Sequence, residues 1–146
     1  MTALTRDANV CGSNFSYQHH HRQRFLDDMV DLGLSTIELW GIAPHLYLPH
    51  ASADEVRRLR REFTERELTL YSLTPEQVVY PVNIASGDPV LRQASVDLFL
   101  RGAEVCSELE GRYLFLTPGR GYEDEPASEG WKRAVDSIAT IAGRAE

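Results

Sequence analysis

The sequence predicts an α/β fold: four successive β/α units with parallel strands, either the first half of a (β/α)₈ TIM barrel or an open sandwich. Three observations carry this. Short β-branched or aromatic runs alternate with longer helical patterns, the order that parallel strands joined by crossover helices require. The segments after the strands are rich in His, Trp, Tyr, Asn and Glu, and strand C-terminal ends are where a barrel gathers its functional groups. The final helical pattern runs out at the end of the 146 residues with no returning strand behind it, although a crossover helix normally leads back to the sheet within a few residues. Residues 1–146 are therefore expected to form a single partial domain.

The elements follow in order. The first strand is expected at residues 14–17, and Phe25, Met29 and Leu32 at helical spacing mark a helix that stops at Gly33. The second strand, residues 36–40, ends at Gly41 in a loop carrying histidine and proline. Ser52 and Glu55 form a capping box, in which hydroxyl and carboxylate satisfy orphan backbone donors at a helix start. Val56, Leu59 and Phe63 are that helix's apolar stripe, and the arginines and glutamates around them make a solvated face. A third strand at residues 68–73 leads into a loop over residues 74–87. Asp88-Pro89 then reads as an N-cap followed by a first-turn proline, whose missing N–H costs nothing there. Leu91, Ala94, Leu98 and Val105 are the expected inner stripe of this helix, with Gly111 as its stop. The fourth strand is expected at residues 113–117, and the last helix presents Trp131, Val135, Ile138 and Ala142 on one face.

Composition narrows the class. A content of 42% hydrophobic and 25% charged residues is that of a soluble globular protein. The net charge of −7 is the wrong sign for a surface that neutralises phosphates, so neither nucleic acid nor a membrane is an expected partner. No apolar run approaches the ~20 residues that span a bilayer, and the N-terminal residues lack a signal peptide's apolar stretch; a cytoplasmic location is expected. Cys11 and Cys106 have no CxxC spacing and read as reduced thiols. An open, doubly wound α/β sandwich is the alternative architecture, but neither GxGxxG nor GxxxxGK[ST] follows the first strand to support its usual phosphate sites. Four units without closure would leave two strand edges and an inner sheet face open, which favours pairing.

In the barrel reading, the strand ends bring together Gln18 and His19, residues 40–45, residues 74–83 and residues 117–122. These side chains suit a polyhydroxylated ligand, offering hydrogen bonds to hydroxyls and aromatic faces to carbons. Two segments sharpen that reading. Ile37-Glu-Leu-Trp-Gly-Ile-Ala-Pro-His45, and Thr74-Pro-Glu-Gln-Val-Val-Tyr-Pro-Val-Asn83 followed by Gly87-Asp88, Arg92 and Ser95, resemble the xylose-isomerase-like barrel superfamily of sugar isomerases and epimerases. The likeness runs from about Phe15 to the C-terminus and spans the first half of such a barrel.

That resemblance implies a divalent cation (Mn, Co, Mg or Zn) in the full-length family, held by two glutamates, an aspartate and a histidine or similar ligand on the fifth to eighth strands. It implies proton transfer beside a carbonyl between two acid/base groups. None of those positions lies within these residues, so neither a catalytic residue nor a bound metal is expected in this chain alone. What remains is a substrate-facing half-site. His19 and His45 are candidate hydroxyl contacts or supports behind such contacts, beside the plain reading of a solvated loop histidine; Trp40 is either an aromatic wall under the sugar or packing at the barrel top. Glu76 is the best acidic candidate, and Tyr80 and Asn83 either lie over the pocket or stabilise a turn. Arg120 departs from the family pattern, which often has histidine there, and reads as a surface residue or an anion contact. The functional expectation is the N-terminal part of a metal-dependent isomerase or epimerase of a ketose, a sugar phosphate or a fructosamine, inactive alone and completed by a missing C-terminal half. The alternative is a non-catalytic half-barrel that pairs as a homodimer. An apurinic endonuclease-like branch is disfavoured by the acidic total and by the absence of histidine from residues 74–83.

Overall fold

A computed structural model describes residues 10–77 and 81–145. Its element order is β1 (Gly12–Ser13), α1 (Arg22–Asp31), β2 (Thr36–Gly41), α2 (Ala53–Thr64), β3 (Thr69–Pro75), α3 (Pro89–Glu108), β4 (Tyr113–Leu114) and α4 (Ala127–Ala145). Every strand pairing is parallel and the sheet order is β1-β2-β3-β4. Sequential order without a crossover back to the centre is the topology of a barrel wall, and it sets aside the doubly wound sandwich, whose strand order reverses.

Local sequence accounts for the helix starts. The Ser52 hydroxyl accepts from the Glu55 amide at 3.2 Å, and the Asp88 carboxylate accepts from the Val90 and Leu91 amides ahead of Pro89. Gly33 ends α1 in the left-handed region at φ 74°. Alternation on β2 sends Ile37 and Leu39 outward under the helices, where both are wholly buried, and leaves Glu38 and Trp40 facing inward and half-buried. An irregularity between Ile37 and Glu38 adds Tyr71 to β3, so that Leu70 and Leu73 both reach the outer core. That core runs from Phe25, Leu26 and Met29 of α1 through Val56, Leu59 and Phe63 of α2 to Val105 and Cys106 of α3.

Four expectations are corrected. Residues 14–17 form a 3₁₀ turn, and the strand is the preceding Gly12–Ser13. The Asn14 carboxamide receives the Trp40 amide at 2.6 Å and donates to the Trp40 carbonyl at 3.1 Å, occupying backbone groups that a longer β1 would need. The left-handed residue after α3 is Glu110 (φ 58°), not Gly111; at Gly111 a Cβ would lie 2.6 Å from the Cys106 sulfur, so close packing demands the glycine. Of the stripe expected on α3, Val105 is buried, Leu98 and Leu91 only partly and Ala94 not at all; the buried face is Ser95, Val96, Phe99, Gly102, Val105 and Cys106.

On α4 the buried face is Gly130, Ala134, Ser137 and Ile141. Trp131 and Val135, expected inside, are 70% and 45% exposed. Polar and small groups turn the helix this way. The Ser137 hydroxyl and Arg133 Nε both donate at 2.8 Å, to the carbonyls of Ile84 and Ala85 respectively. Gly130 approaches Gly121 so closely that a Cβ would meet its Cα at 2.8 Å. Hydrophobicity alone cannot report a face chosen by backbone contact.

Candidate active site

The inward side chains at the C-terminal ends of the strands enclose a cleft of about 230 Å³, lined in part by Phe15, Glu38, Trp40, Thr74, Phe115 and Thr117. Phe15 and Trp40 pack with ring centroids 4.9 Å apart and planes tilted by 34°, forming an aromatic floor. Across from it, the Thr74 hydroxyl donates to Glu38 Oε1 at 2.6 Å, which fixes the direction of that carboxylate. Cys11 directly precedes β1; desolvation first, and the Glu38 charge second, push its thiol up to about 11. It therefore stays protonated and is no nucleophile near neutral pH.

Three carboxamides fasten the backbone, two beside this cleft and the third on the loop that follows β4. Asn14 clasps the backbone of Trp40, as described above. Gln77 donates to the Phe115 carbonyl at 3.4 Å, and its own side-chain oxygen receives the Thr117 amide. Asn83 receives the Arg120 amide at 3.0 Å and donates to the Arg120 carbonyl at 2.8 Å, while also receiving the Ala85 amide. In each case a side-chain amide offers one donor and one acceptor, as a peptide group would, and continues strand-like pairing beyond the last ladder residue.

Of the six residues singled out from the sequence, the five that are described do not converge. Trp40 lines the cleft. His45 is buried, with its Nδ1 at 2.7 Å from Asn14 Nδ2 and its Nε2 at 3.0 Å from the His20 carbonyl. The Asn14 amide is a donor there, so Nδ1 accepts and Nε2 carries the proton; burial, above all, holds the imidazole's affinity for a second proton below its ordinary value. With both ring nitrogens committed, His45 is a fastener under the rim instead of a hydroxyl contact. Asn83 is another, its carboxamide committed to the Arg120 loop. His19 lies with His20, His21, Arg24 and Pro44 around a separate shallow depression. Glu76 faces a different groove of about 680 Å³, along the Leu91, Ala94 and Leu98 side of α3. Tyr80 lies outside the described residues.

Sequence reasoning missed Glu38, Phe15, Phe115 and Gln77. Glu38 had an available signal: it stands two residues before Trp40 on one strand and so shares its face. Among the described residues no three His, Cys, Asp or Glu side chains come together to hold a metal ion. The donors present do not make a metal centre, and no chemical step is assigned to one. Among the same residues no helix is long and apolar enough to cross a membrane.

Parallel strands in sequential order, helices on the outer side and a cleft at the strands' C-terminal ends define a β/α-barrel protein seen over its first four units. The chain belongs to the xylose isomerase-like TIM barrel family, whose model matches residues 26–146. It is 24% identical over 119 residues to fructoselysine 3-epimerase of Escherichia coli O157:H7, covering 82% of this chain and 43% of that one. It is 29% identical over 111 residues to a probable endonuclease 4 of Persephonella marina, covering 76% and 38% of the two chains. Thus the chain spans less than half the length of the curated relatives it matches. Among solved structures, D-psicose 3-epimerase of Clostridium cellulolyticum H10 superposes with a TM-score of 0.70 at 17% identity, covering 90% of this chain and 46% of that one. An L-ribulose 3-epimerase gives 0.67 at 23% identity, covering 85% and 40%. At these identities the structures establish the shared fold.

Proposed function

We propose that this chain is the substrate-facing half of a sugar isomerase or epimerase that transfers a proton at a carbon beside a carbonyl. The observation that carries the reading is the cleft itself: aromatic rings, hydroxyls and one carboxylate converge at the C-terminal ends of four parallel strands, where a barrel binds its ligand. Phe15, Trp40 and Phe115 shield the carbon side of a sugar from water, and Thr74, Thr117 and Glu38 meet its hydroxyls. The proton-transferring groups, and the divalent cation implied by the family resemblance, belong to a C-terminal half; this chain binds and orients the substrate, and it works in the cytoplasm. The match to fructoselysine 3-epimerase supports a ketose or fructosamine as the substrate class. The net charge of −7 favours a sugar over the nucleic acid suggested by the endonuclease relative.

Two measurements test this. Titration of the isotope-labelled chain with D-fructose should shift the amide resonances of Ser13, Trp40, Thr74 and Thr117. Shifts confined to the helices, or none, would count against the reading. An epimerisation assay with added Mn²⁺ or Co²⁺ should give no turnover with this chain alone; turnover would show that the acid/base groups lie within it.

A second reading has its own observation. The inner sheet face leaves Phe15, Tyr71, Tyr113 and Phe115 each between 45% and 59% exposed, more aromatic surface than a monomer normally leaves uncovered. A second copy could cover it by two-fold pairing of half-barrels. Light scattering should then report twice 16.5 kDa, and a monomer at high concentration would remove this alternative.

A further inference from the structure

We propose that Glu38 sets the charge selectivity of the cleft, so that this half of the site accepts a neutral or amine-bearing polyol and rejects a phosphorylated one. The inference rests on the sugar-site reading above and narrows it to a substrate class.

The electrostatic inventory of the cleft is one-sided. Its described lining is Ser13, Phe15, Glu38, Trp40, Thr74, Pro75, Gln77, Phe115 and Thr117, among which Glu38 alone carries a charge. Binding an anionic group calls for a guanidinium, an ammonium or several converging N–H donors, and the described lining contributes no lysine or arginine. The arginines on the neighbouring loop and helix are engaged elsewhere. Arg120 pairs with Glu123 at 2.5 Å. Arg133 pairs with Glu125 and donates to the Ala85 carbonyl, and Arg92 donates to the Ser86 carbonyl at 2.6 Å.

The carboxylate is also held in place for a hydroxyl-bearing ligand. The Thr74 hydroxyl takes Oε1, and the Phe15 and Trp40 rings bound the cleft beside it. A sugar hydroxyl donating to Glu38 makes a charge-assisted bond, roughly twice as strong as a neutral one. A phosphoryl group in the same cleft meets like charge within a space of about 230 Å³. That charge also acts at the start of β1, where it adds to desolvation in raising the Cys11 thiol.

The test compares D-fructose with D-fructose 6-phosphate as ligands of the isotope-labelled chain, read from the Trp40 and Thr74 amides. D-fructose should bind about tenfold more tightly, as expected for like charges about 6 Å apart in a partly wet cleft. In Glu38→Gln the gap should close, with the phosphate binding better than it does to the wild type. Equal binding of the two ligands by the wild type, or an unchanged ratio in Glu38→Gln, overturns the inference and leaves the sugar site standing. Binding of neither ligand sinks both. Should Glu38→Gln fail to fold, salt supplies the second measurement: screening must narrow the gap in the wild type, and a gap that salt does not move refutes the role of Glu38. Thr74→Val, which frees the carboxylate without removing it, should weaken D-fructose about threefold while preserving the discrimination.

Discussion

Ile37 and Leu39 turn to one side of β2 and are wholly buried beneath helices; Glu38 and Trp40, their neighbours on the same strand, turn to the other side and stay half-exposed. The outer face of the sheet is thus completed by this chain, with Phe25, Leu59 and Leu73 closing one continuous core. The inner face presents Tyr71 and Tyr113 edge to face with centroids 5.1 Å apart, both substantially open. The contrast separates two faces within one pleat: folding free energy comes from the outward residues, and the inward ones line the cleft. Substitutions should therefore sort by the direction a side chain points more than by its hydrophobicity.

The largest effect is expected under the outer rim. Arg22 makes two bonds to the Glu62 carboxylate, at 2.8 and 3.0 Å, and donates to the His45 carbonyl. Arg22→Ala strands Glu62 and that carbonyl, and should cost about 3–5 kcal/mol in denaturant unfolding. Asn14→Ala opens the Trp40 clasp and leaves His45 Nδ1 without its donor; a loss of about 2–3 kcal/mol is expected.

His45 adds a pH dependence. Its imidazole in the folded chain binds a proton less readily than the ordinary value of 6.5. Stability is therefore full above that value and declines as pH falls below it, because the unfolded chain takes up the proton first. Thermal unfolding across this window should show the decline, and His45→Gln should flatten that contribution.

Inward substitutions should do the reverse. Trp40→Ala should abolish sugar-induced shifts while changing stability by under about 1 kcal/mol, which would break the contrast if the order were inverted. The smallest effect is expected at Trp131, 70% exposed on α4: Trp131→Lys should leave stability within about 0.5 kcal/mol.

What the sequence made legible follows the range of the forces involved. The caps at Ser52 and Asp88 depend on neighbours within a few residues, and both stand in the structure. The end of β1 is set by a side chain reaching from Asn14 to Trp40, and the face of α4 by contacts to Ile84, Ala85 and Gly121; no window of sequence contains both partners. The site divides in the same way. Trp40, at its strand end, lines the cleft, whereas for His45 and Asn83 a ligand contact and a structural role both stay open in the sequence, because polar residues near a cleft serve either the ligand or the backbone. Only their partners distinguish the two.

The three carboxamide clasps also leave a mark on solvent exchange. The amide hydrogens of Trp40, Thr117 and Arg120 are donated to the side-chain oxygens of Asn14, Gln77 and Asn83. Loop amides such as those of Thr117 and Arg120 normally trade hydrogen for deuterium quickly, but these two, like the amide of Trp40 in β2, sit where opening requires releasing a neighbouring segment. The protected region should therefore extend past the last ladder pair and trace the mouth of the cleft, so that deuterium uptake outlines the site without any ligand being present.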